Sequence, residues 1–222
     1  MTTLFDILGP CMVGPSSSHT AGACRLGYVV QAILGGMPDR ALVGLHGSFA
    51  MTGEGHGTRT AITGGLLGHR PDDERLREAE AEAAEKGLHV EFRTVDLGDH
   101  AHPNSAVFEV MRGEERIAIT GCSIGGGRIQ VQEIDGFAVD LSGSLPAIVV
   151  VADDVPGTVA RITGLIADCG LNVATVRVDR TGRGERALMT IETDEDVPAD
   201  VLAELGGQPW VHWIRNVHQL NA

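Results

Sequence analysis

Residues 147–218 read AIVVVADDVPGTVARITGLIADCGLNVATVRVDRTGRGERALMTIETDEDVPADVLAELGGQPWVHWIRNVH, and their pattern decides the fold of the C-terminal third of the chain. The apolar, β-branched run at 147–152 predicts a strand. A turn at 153–157 then leads into 158–169, where apolar residues recur at helical spacing and Gly170 is placed as a left-handed stop. The segment therefore begins with a strand followed by a helix.

The rest of this segment adds a hairpin, a short helix and a last strand. Residues 171–178 and 186–193 are strand-like runs joined by a glycine-rich turn, which predicts a β-hairpin. Pro198 lies near the start of a short helical pattern, and 210–218 closes with alternating apolar residues. The resulting order, βαββαβ, is that of a ferredoxin-like domain.

The N-terminal part of the chain mixes strands and helices without a strict repeat. Strands are predicted within 41–49 and 89–97, two hairpins within 107–123 and 128–141, and helices after His19, after His56 and over 72–87. This mixture predicts an α+β domain. The polar segment SGSLP at 142–146 predicts a joint, so we expect one domain at 1–142 and a second at 146–222.

The composition describes a globular chain with a strong acidic balance. Of its 222 residues 43% are hydrophobic, and its formal net charge is −13. This charge argues against nucleic acid as a partner, because binding phosphates requires a clustered basic face. No apolar run approaches the ~20 residues of a bilayer span, and the first ten residues lack a signal-peptide pattern. We therefore expect a cytoplasmic protein without a membrane partner.

The cysteines and lysines argue against several cofactor classes. Four scattered cysteines include no CxxC pair, which disfavours a disulfide framework, a zinc ribbon and a self-contained iron–sulfur site. Lys86 is the only lysine, and it lies in a polar segment where Glu82 is placed to pair with it. Pyridoxal phosphate and a Walker loop both need a lysine of their own, so neither is expected.

The first candidate loop is GPSSSHT, residues 14–20, at the start of a predicted helix. A hydroxyl at a helix start caps free backbone N–H groups, and the same groups can receive a carboxylate. Plain capping needs one hydroxyl, so three serines followed by His19 favour a binding loop. The binding candidates here are Ser16, Ser17, Ser18 and Thr20.

The second candidate loop is HGSFAMTGEGHGT, residues 46–58, which again opens a predicted helix. Glycines on both sides of His56 allow the backbone to approach a ligand closely. A histidine with an ordinary pKa of ~6.5 can accept a proton at neutral pH, which makes His56 a candidate base. A structural role is the alternative. Ser48, Gly57 and Thr58 are binding candidates in the same loop.

A third candidate loop, SIGGG at 123–127, and the segment HPN at 102–104 complete the set. Their binding candidates are His102, Asn104, Ser123, Gly125 and Gly126, although the glycines also suit a loose hairpin turn. A metal site is the alternative use of His46, His56, His100 and His102. No HxxxH or Cys/His spacing supports it, so no metal site is expected in this chain.

Together GPSSSHT, HGSFAMTGEGHGT, HPN and SIGGG resemble the β chain of the iron–sulfur-dependent L-serine dehydratases, and they imply such a domain at 1–142. The motifs Asp154-x-Pro156-Gly157 and Gly170-Leu171-Asn172 resemble an ACT domain, here at 146–222. The second resemblance implies an amino-acid pocket, usually at a homodimer interface, which would be formed by Asp154, Gly157 and Asn172. Dimerisation without a ligand is the alternative.

The first resemblance also implies a cofactor and a partner. In this family a [4Fe–4S] cluster is held by the cysteines of a separate α chain or domain, and its iron acts as a Lewis acid on L-serine. A base removes the α-proton, and the resulting aminoacrylate becomes pyruvate and ammonia. The resemblance implies that His56 is this base and that His19, with the serine loop, binds the carboxylate or delivers a proton. The isolated chain is expected to be inactive.

One pair of residues departs from the family pattern. The resemblance predicts a basic residue at position 54 and an acidic one at 59, whereas this chain has Glu54 and Arg59. Such an exchange preserves an ion pair but reverses the local field around His56. Two rival functions remain: a non-catalytic amino-acid sensor that regulates a partner enzyme, and a detached regulatory part of a phosphoglycerate dehydrogenase. The chain has no GxGxxG fingerprint for the latter.

Overall fold

The computed structural model of the protein describes residues 11–220, so the prediction about the first ten residues lies outside the described part. The chain divides into two compact units at Gly136 and Phe137. The joint predicted at 142–146 follows the first strand of the second unit, and the predicted domain limits stay a prediction. None of the helices within 11–220 combines the length and the apolar character needed to cross a membrane.

The first unit is an α+β structure, as predicted. Its elements are a π-helical turn (Ser17–Gly22) that continues as α1 (Ala23–Leu34), then β1 (Arg40–Leu45), α2 (Gly47–Thr52), α3 (Thr58–Leu66), a 3₁₀ turn (Glu74–Glu78), α4 (Ala79–Lys86), β2 (His89–Thr94), β3 (Ser105–Arg112), β4 (Glu115–Gly125) and β5 (Arg128–Ile134). Hydrogen-bonded strands of this unit run in the order β2-β1-β3-β4-β5. Strands β1 and β2 are parallel, and the other neighbours are antiparallel.

Helix α1 packs on strands β3, β4 and β5, and α3 packs on α1. The two helices cross closely because each has a glycine at the contact: a Cβ on Gly27 would lie 2.4 Å from the Ile62 carbonyl oxygen, and one on Gly65 would lie 2.1 Å from that of Cys24. The side chain of Leu26 on α1 is buried and lies against Gly121 of β4. This packing brings the starts of the two helices together at one end of the sheet, where the candidate loops lie.

Two predicted strands end earlier than expected. Strand β1 stops at Leu45, and residues 47–52 form α2 instead, so the prediction of a strand over 41–49 is wrong for its last residues. Strand β2 likewise stops at Thr94, short of 97. Leu45 pairs with Thr94, the last residue of β2, and with Ala106, near the start of β3. Strand β1 therefore ends where β2 ends and near where β3 begins.

The polar segment over 72–87 is helical as predicted, as the 3₁₀ turn followed by α4. The predicted ion pair within it is also present, since Lys86 Nζ lies 2.7 Å from Glu82 Oε1.

After one initial strand, the second unit has the predicted βαββαβ order. It consists of β6 (Phe137–Leu141), followed by β7 (Ala147–Asp153), α5 (Thr158–Asp168), β8 (Val173–Arg180), β9 (Arg186–Thr193), α6 (Ala199–Gly206) and β10 (Val211–Val217). The four strands β10-β7-β9-β8 form an antiparallel sheet. Gly170 has the predicted left-handed conformation, with a φ of 77°. Alternate residues of β7, among them Ile148 and Val150, pack on both helices in the core.

Candidate active site

The serine loop forms the capped start of the π-helical turn. Ser16 is the N-cap, and its Oγ accepts a hydrogen bond from the His19 N–H at 3.1 Å. The N–H groups of Thr20 and Ala21 bond to the Ser16 carbonyl oxygen at 2.9 and 3.3 Å. Within residues 11–220 the N–H groups of Ser17 and Ser18 have no partner. These two donors at a helix start suit an anionic group such as a carboxylate.

The π-helical turn lies tightly against strand β4. A Cβ on Gly22 would lie 2.1 Å from Ser123 Oγ and 2.8 Å from Ser123 Cβ, so only glycine fits here. Gly121, two residues earlier on β4, similarly faces Leu26 of α1. Contact at Gly22 therefore joins the serine loop to the strand that ends in SIGGG. A π-helical turn inside a helix often marks a functional site.

His19 is held between hydroxyl groups of both candidate loops. Its Nδ1 lies 3.2 Å from Ser18 Oγ and its Nε2 lies 3.0 Å from Ser48 Oγ. The edge of its ring meets Phe49, with 5.3 Å between the ring centroids. Burial and the neighbouring His56 lower the pKa of His19 below its ordinary 6.5, and a hydrogen bond with Ser48 opposes this shift. The imidazole is therefore neutral at neutral pH.

His56 lies beside His19 across the site. The two ring centroids are 5.1 Å apart, and Thr20 Oγ1 donates a hydrogen bond to the His56 carbonyl oxygen at 3.0 Å. His56 Nδ1 lies 3.1 Å from the Thr52 carbonyl oxygen. Because a carbonyl only accepts, this contact places the proton of the neutral ring on Nδ1 and leaves the Nε2 lone pair free to accept another.

A cavity of about 280 Å³ connects the two loops. Its lining includes Gly14, Pro15 and Thr20 of the first loop and Gly55, His56 and Gly57 of the second. Gly57 is also the N-cap of α3, in a left-handed conformation with a φ of 66°. The first and second candidate loops thus share one cavity large enough for a small amino acid.

The HPN segment is hydrogen-bonded to the second loop. The Phe49 N–H donates to the Pro103 carbonyl oxygen at 3.3 Å. The Asn104 N–H donates to His102 Nδ1 at 3.1 Å, and the Ser123 N–H donates to the Asn104 carbonyl oxygen at 3.0 Å. Backbone hydrogen bonds therefore run from the second loop through HPN to the third loop.

The SIGGG loop is a tight hairpin turn. Gly125 and Arg128 pair across it, and the two residues between them, Gly126 and Gly127, both have positive φ of 62° and 76°. This is the pattern of a type I′ turn, which glycine favours. Arg25 of α1, a buried side chain, donates from Nη1 to the Gly127 carbonyl oxygen at 2.7 Å. Gly125 and Gly126 thus have a structural role in the turn.

Several buried polar atoms of the site remain without a hydrogen bond. Among residues 11–220, five buried side-chain oxygens have no partner: those of Thr58, Thr63, Asn104, Ser123 and Asn216. Buried polar groups in folded proteins are usually paired, so unpaired ones need an explanation. Three of the five, in Thr58, Asn104 and Ser123, belong to the segments that the sequence marked as binding candidates.

The charge exchange at the second loop produces the expected ion pair. Arg59 Nη1 lies 3.5 Å from Glu54 Oε1, and the side chains are 47% and 83% exposed. Such exposed pairs contribute little to stability. Arg59 also lies over the ring of Phe92, 5.7 Å from its centroid. The two charges neutralise each other locally.

No group of three His, Cys, Asp or Glu side chains that could hold a metal ion occurs in the part of the chain that the structure describes. Cys24 and Cys122 are buried, whereas Cys11 and Cys169 are exposed. Burial raises the pKa of Cys24 to about 12, which makes a thiolate unfavourable there. Burial also raises the pKa of Cys122. The four cysteines do not form a ligand set.

The side chains of the ACT candidates Asp154 and Asn172 are hydrogen-bonded to residues of their own unit. Asp154 Oδ2 accepts hydrogen bonds from Arg180 Nη1 and from the Gly184 N–H, both at 3.1 Å. Asn172 Nδ2 donates to Asp194 Oδ2 at 2.8 Å. Gly157 is the left-handed N-cap of α5, with a φ of 93°. Asp154 and Asn172 therefore stabilise turns of the sheet in this structure.

Sequence reasoning missed three residues that shape the site. Phe49 and Gly22 lie inside or beside the quoted motifs, but only the structure shows the ring contact with His19 and the close contact with Ser123. Arg25 carried no signal, because a single arginine on a helix looks like a surface residue.

Comparison with known proteins supplies a family. The model for the serine dehydratase beta chain matches residues 3–135, and the model for the ACT domain matches 147–208. A probable L-serine dehydratase beta chain of Bacillus subtilis is 45% identical over 207 residues, which cover 93% of this chain and 94% of that one. The L-serine dehydratase beta chain of Peptoniphilus asaccharolyticus is 36% identical over 205 residues, with coverage of 91% and 92%.

A more distant similarity covers part of a larger enzyme. A D-3-phosphoglycerate dehydrogenase of a Synechocystis strain is 26% identical over 186 residues, which cover 81% of this chain but 32% of that enzyme.

Proposed function

The chain belongs to the serine dehydratase beta chain family, and from this premise we propose how its first unit takes part in converting L-serine to pyruvate and ammonia. The observation that carries the proposal is the shared cavity, which His56 lines together with Gly14, Pro15 and Thr20 of the serine loop. The chain functions as the beta subunit of an L-serine dehydratase.

His56 is the base that removes the α-proton of serine. Its Nδ1 proton is held by the Thr52 carbonyl oxygen, so Nε2 keeps a lone pair toward an incoming proton. As the Cα–H bond breaks, its electrons form the double bond to Cβ, and the Cβ–O bond breaks with loss of hydroxide. The aminoacrylate then tautomerises and hydrolyses.

The serine loop binds the substrate carboxylate. The unpartnered N–H groups of Ser17 and Ser18 and the positive end of the helix dipole support this role. His19 is neutral at neutral pH and lies between Ser18 and Ser48, so it does not attract the carboxylate by charge. We therefore assign to His19 a positioning role, in which its two ring nitrogens hold the hydroxyl groups of Ser18 and Ser48 at the site.

A cluster-bearing α chain completes the enzyme. The described residues do not form a ligand set for iron, so the [4Fe–4S] cluster belongs to the partner in this proposal. The naming of the two relatives as beta chains supports the existence of an α chain. The isolated chain is then inactive.

The ACT unit joins two copies of the chain in this proposal. Strand β8 lies at the edge of its sheet, and its side chains Val176 and Val178 are 40% and 44% exposed. An exposed apolar edge strand suits pairing with a second copy. An amino acid bound at this interface is part of the proposal, as is a cytoplasmic location.

The rival regulatory function is not supported. The two relatives that cover more than nine-tenths of this chain are dehydratase chains, whereas the phosphoglycerate dehydrogenase matches over 32% of its own length. The prediction of a non-catalytic regulator is therefore set aside.

The test is anaerobic reconstitution with the serine dehydratase α chain encoded in the same genome, followed by measurement of pyruvate formed from L-serine. His56→Ala should lower kcat by about 100-fold or more, the usual scale for loss of a general base. The matched control is His100→Ala, because His100 is an exposed histidine that does not line the cavity.

Full activity of His56→Ala would remove the assignment of the base. Absence of pyruvate from the wild-type complex would contradict the proposed function itself, and activity of the isolated chain would contradict the need for a partner.

A further inference from the structure

The 3₁₀ turn forms part of the lining of the cavity that His56 also lines. Leu76 and Arg77 of this turn line it together with Gly14 and Pro15 of the serine loop. Leu76 is 3% exposed and packs against Gly64 of α3, which fixes the turn at this place. Arg77 is the only arginine or lysine among the described residues that line the cavity.

The guanidinium of Arg77 is available to a ligand. Its Nε lies 2.9 Å from Glu74 Oε2, and within residues 11–220 its two Nη groups have no partner. Arg77 and Glu74 are 69% and 77% exposed, so their ion pair is weak and restrains the side chain little. Two free Nη groups match the two oxygens of a carboxylate.

Several of the neighbouring charges are paired with other side chains, and Glu80 accepts a hydrogen bond at 2.8 Å from Thr60, which lines the cavity. Asp73 is bound by Arg75 at 2.6 Å, and Glu82 by His69 and Lys86, each at 2.7 Å. The Glu54–Arg59 pair also neutralises itself. In a chain of net charge −13, an anionic substrate needs a local cation, and Arg77 supplies one at this cavity.

We propose that Arg77 binds the carboxylate of the substrate in the cavity that it lines with Thr20 and His56. The inference rests on the proposed function, because it takes the cavity beside His56 as the serine site. It assigns substrate binding to a segment whose sequence suggests only a solvated helix.

The experiment compares Arg77→Gln, Arg77→Lys and Arg75→Gln in the reconstituted complex. Arg75 is the matched control, since it lies in the same 3₁₀ turn but outside the cavity and loses the same charge. Loss of a charged hydrogen-bonded contact should raise the KM for L-serine about 10- to 100-fold in Arg77→Gln, with kcat nearly unchanged. The KM of Arg77→Lys should lie between those of the wild type and Arg77→Gln, and the KM of Arg75→Gln should equal that of the wild type.

Two inhibitors identify the bound group. Arg77→Gln should weaken inhibition by D-serine, which carries a carboxylate, and should leave inhibition by L-serinamide, which lacks one, unchanged. An unchanged KM in Arg77→Gln, or an equal rise in Arg75→Gln, would overturn the inference. These results are distinct from failure of the base assignment, which appears in kcat of His56→Ala.

A second readout needs no turnover. Titration of the full-length, ¹⁵N-labelled chain with L-serine should shift the amide signals of Gly55 and Gly57 in the wild type and in Arg75→Gln, and these shifts should be lost in Arg77→Gln. Shifts that persist in Arg77→Gln would overturn the inference even if the complex were inactive.

Discussion

In the first unit the predicted residues His19 and His56 meet beside a cavity, whereas in the second unit Asp154 and Asn172 are tied to residues of their own sheet. Among residues 11–220, the buried hydroxyl of Ser123 in the first unit has no hydrogen-bond partner. The comparison teaches that the same kind of motif, a polar residue in a loop at a helix or strand start, can lie at a cavity in one unit and be hydrogen-bonded to its own sheet in the other.

The largest difference should appear at a glycine in each unit. Gly22→Ala should destabilise the chain by about 1–3 kcal/mol, because the new Cβ meets Ser123 inside a packed contact. Gly164→Ala, in α5, meets no atom within 4 Å and should stabilise by up to about 1 kcal/mol. Urea denaturation followed by circular dichroism measures both. Equal effects would mean that the contact at Gly22 is as loose as the surface of α5.

A pair of buried hydroxyl groups sharpens the same comparison. Thr193→Val should cost about 1 kcal/mol, because Thr193 Oγ1 donates to the Glu195 carbonyl oxygen at 2.7 Å. Ser123→Ala should leave the free energy of unfolding unchanged or raise it by about 1 kcal/mol, since it removes a buried hydroxyl that has no partner among the described residues. Denaturation curves of the two variants and the wild type, recorded at one pH, give the three free energies of unfolding to be compared. A large loss in Ser123→Ala would show that this hydroxyl is paired after all.

The smallest expected effect concerns the carboxylate of Asp154. The Gly184 N–H and the Arg180 guanidinium lower the pKa of Asp154 below its ordinary 3.8. A lowered pKa means that the carboxylate stabilises the fold above pH 3.8, and that this contribution is lost as the pH falls through the lowered value. Asp154→Asn should therefore lower Tm slightly at neutral pH, and the difference should shrink in acid. A difference in Tm between Asp154→Asn and the wild type that stays the same from neutral to acid pH would contradict this prediction.

The pH dependence of His19 has the opposite chemical origin. Its lowered pKa means that the unfolded chain binds a proton more readily than the folded one, so stability is full above the ordinary value of 6.5 and declines as the pH falls below it.

The second unit could be predicted almost element by element. Its strands either alternate apolar and polar residues or are apolar throughout, and the apolar residues of its helices recur at helical spacing. Gly170 follows the end of α5 in the expected left-handed conformation. The first unit was harder, because α2 occupies residues that look like a continuation of β1. The end of a strand depends on where its partner ends, and the partner β3 lies sixty residues further along the chain.

The sequence by itself determined the family motifs, a helix start at each of the first two candidate loops, and the absence of a second lysine beside Lys86. Only the tertiary structure decided that Gly22 meets Ser123, that His19 reaches Ser48, and that Arg77 borders the same cavity as His56. The physical reason is one of range. Local periodicity and capping fix single elements, whereas contacts between distant loops are set by strand register and by the close crossing of α1 and α3.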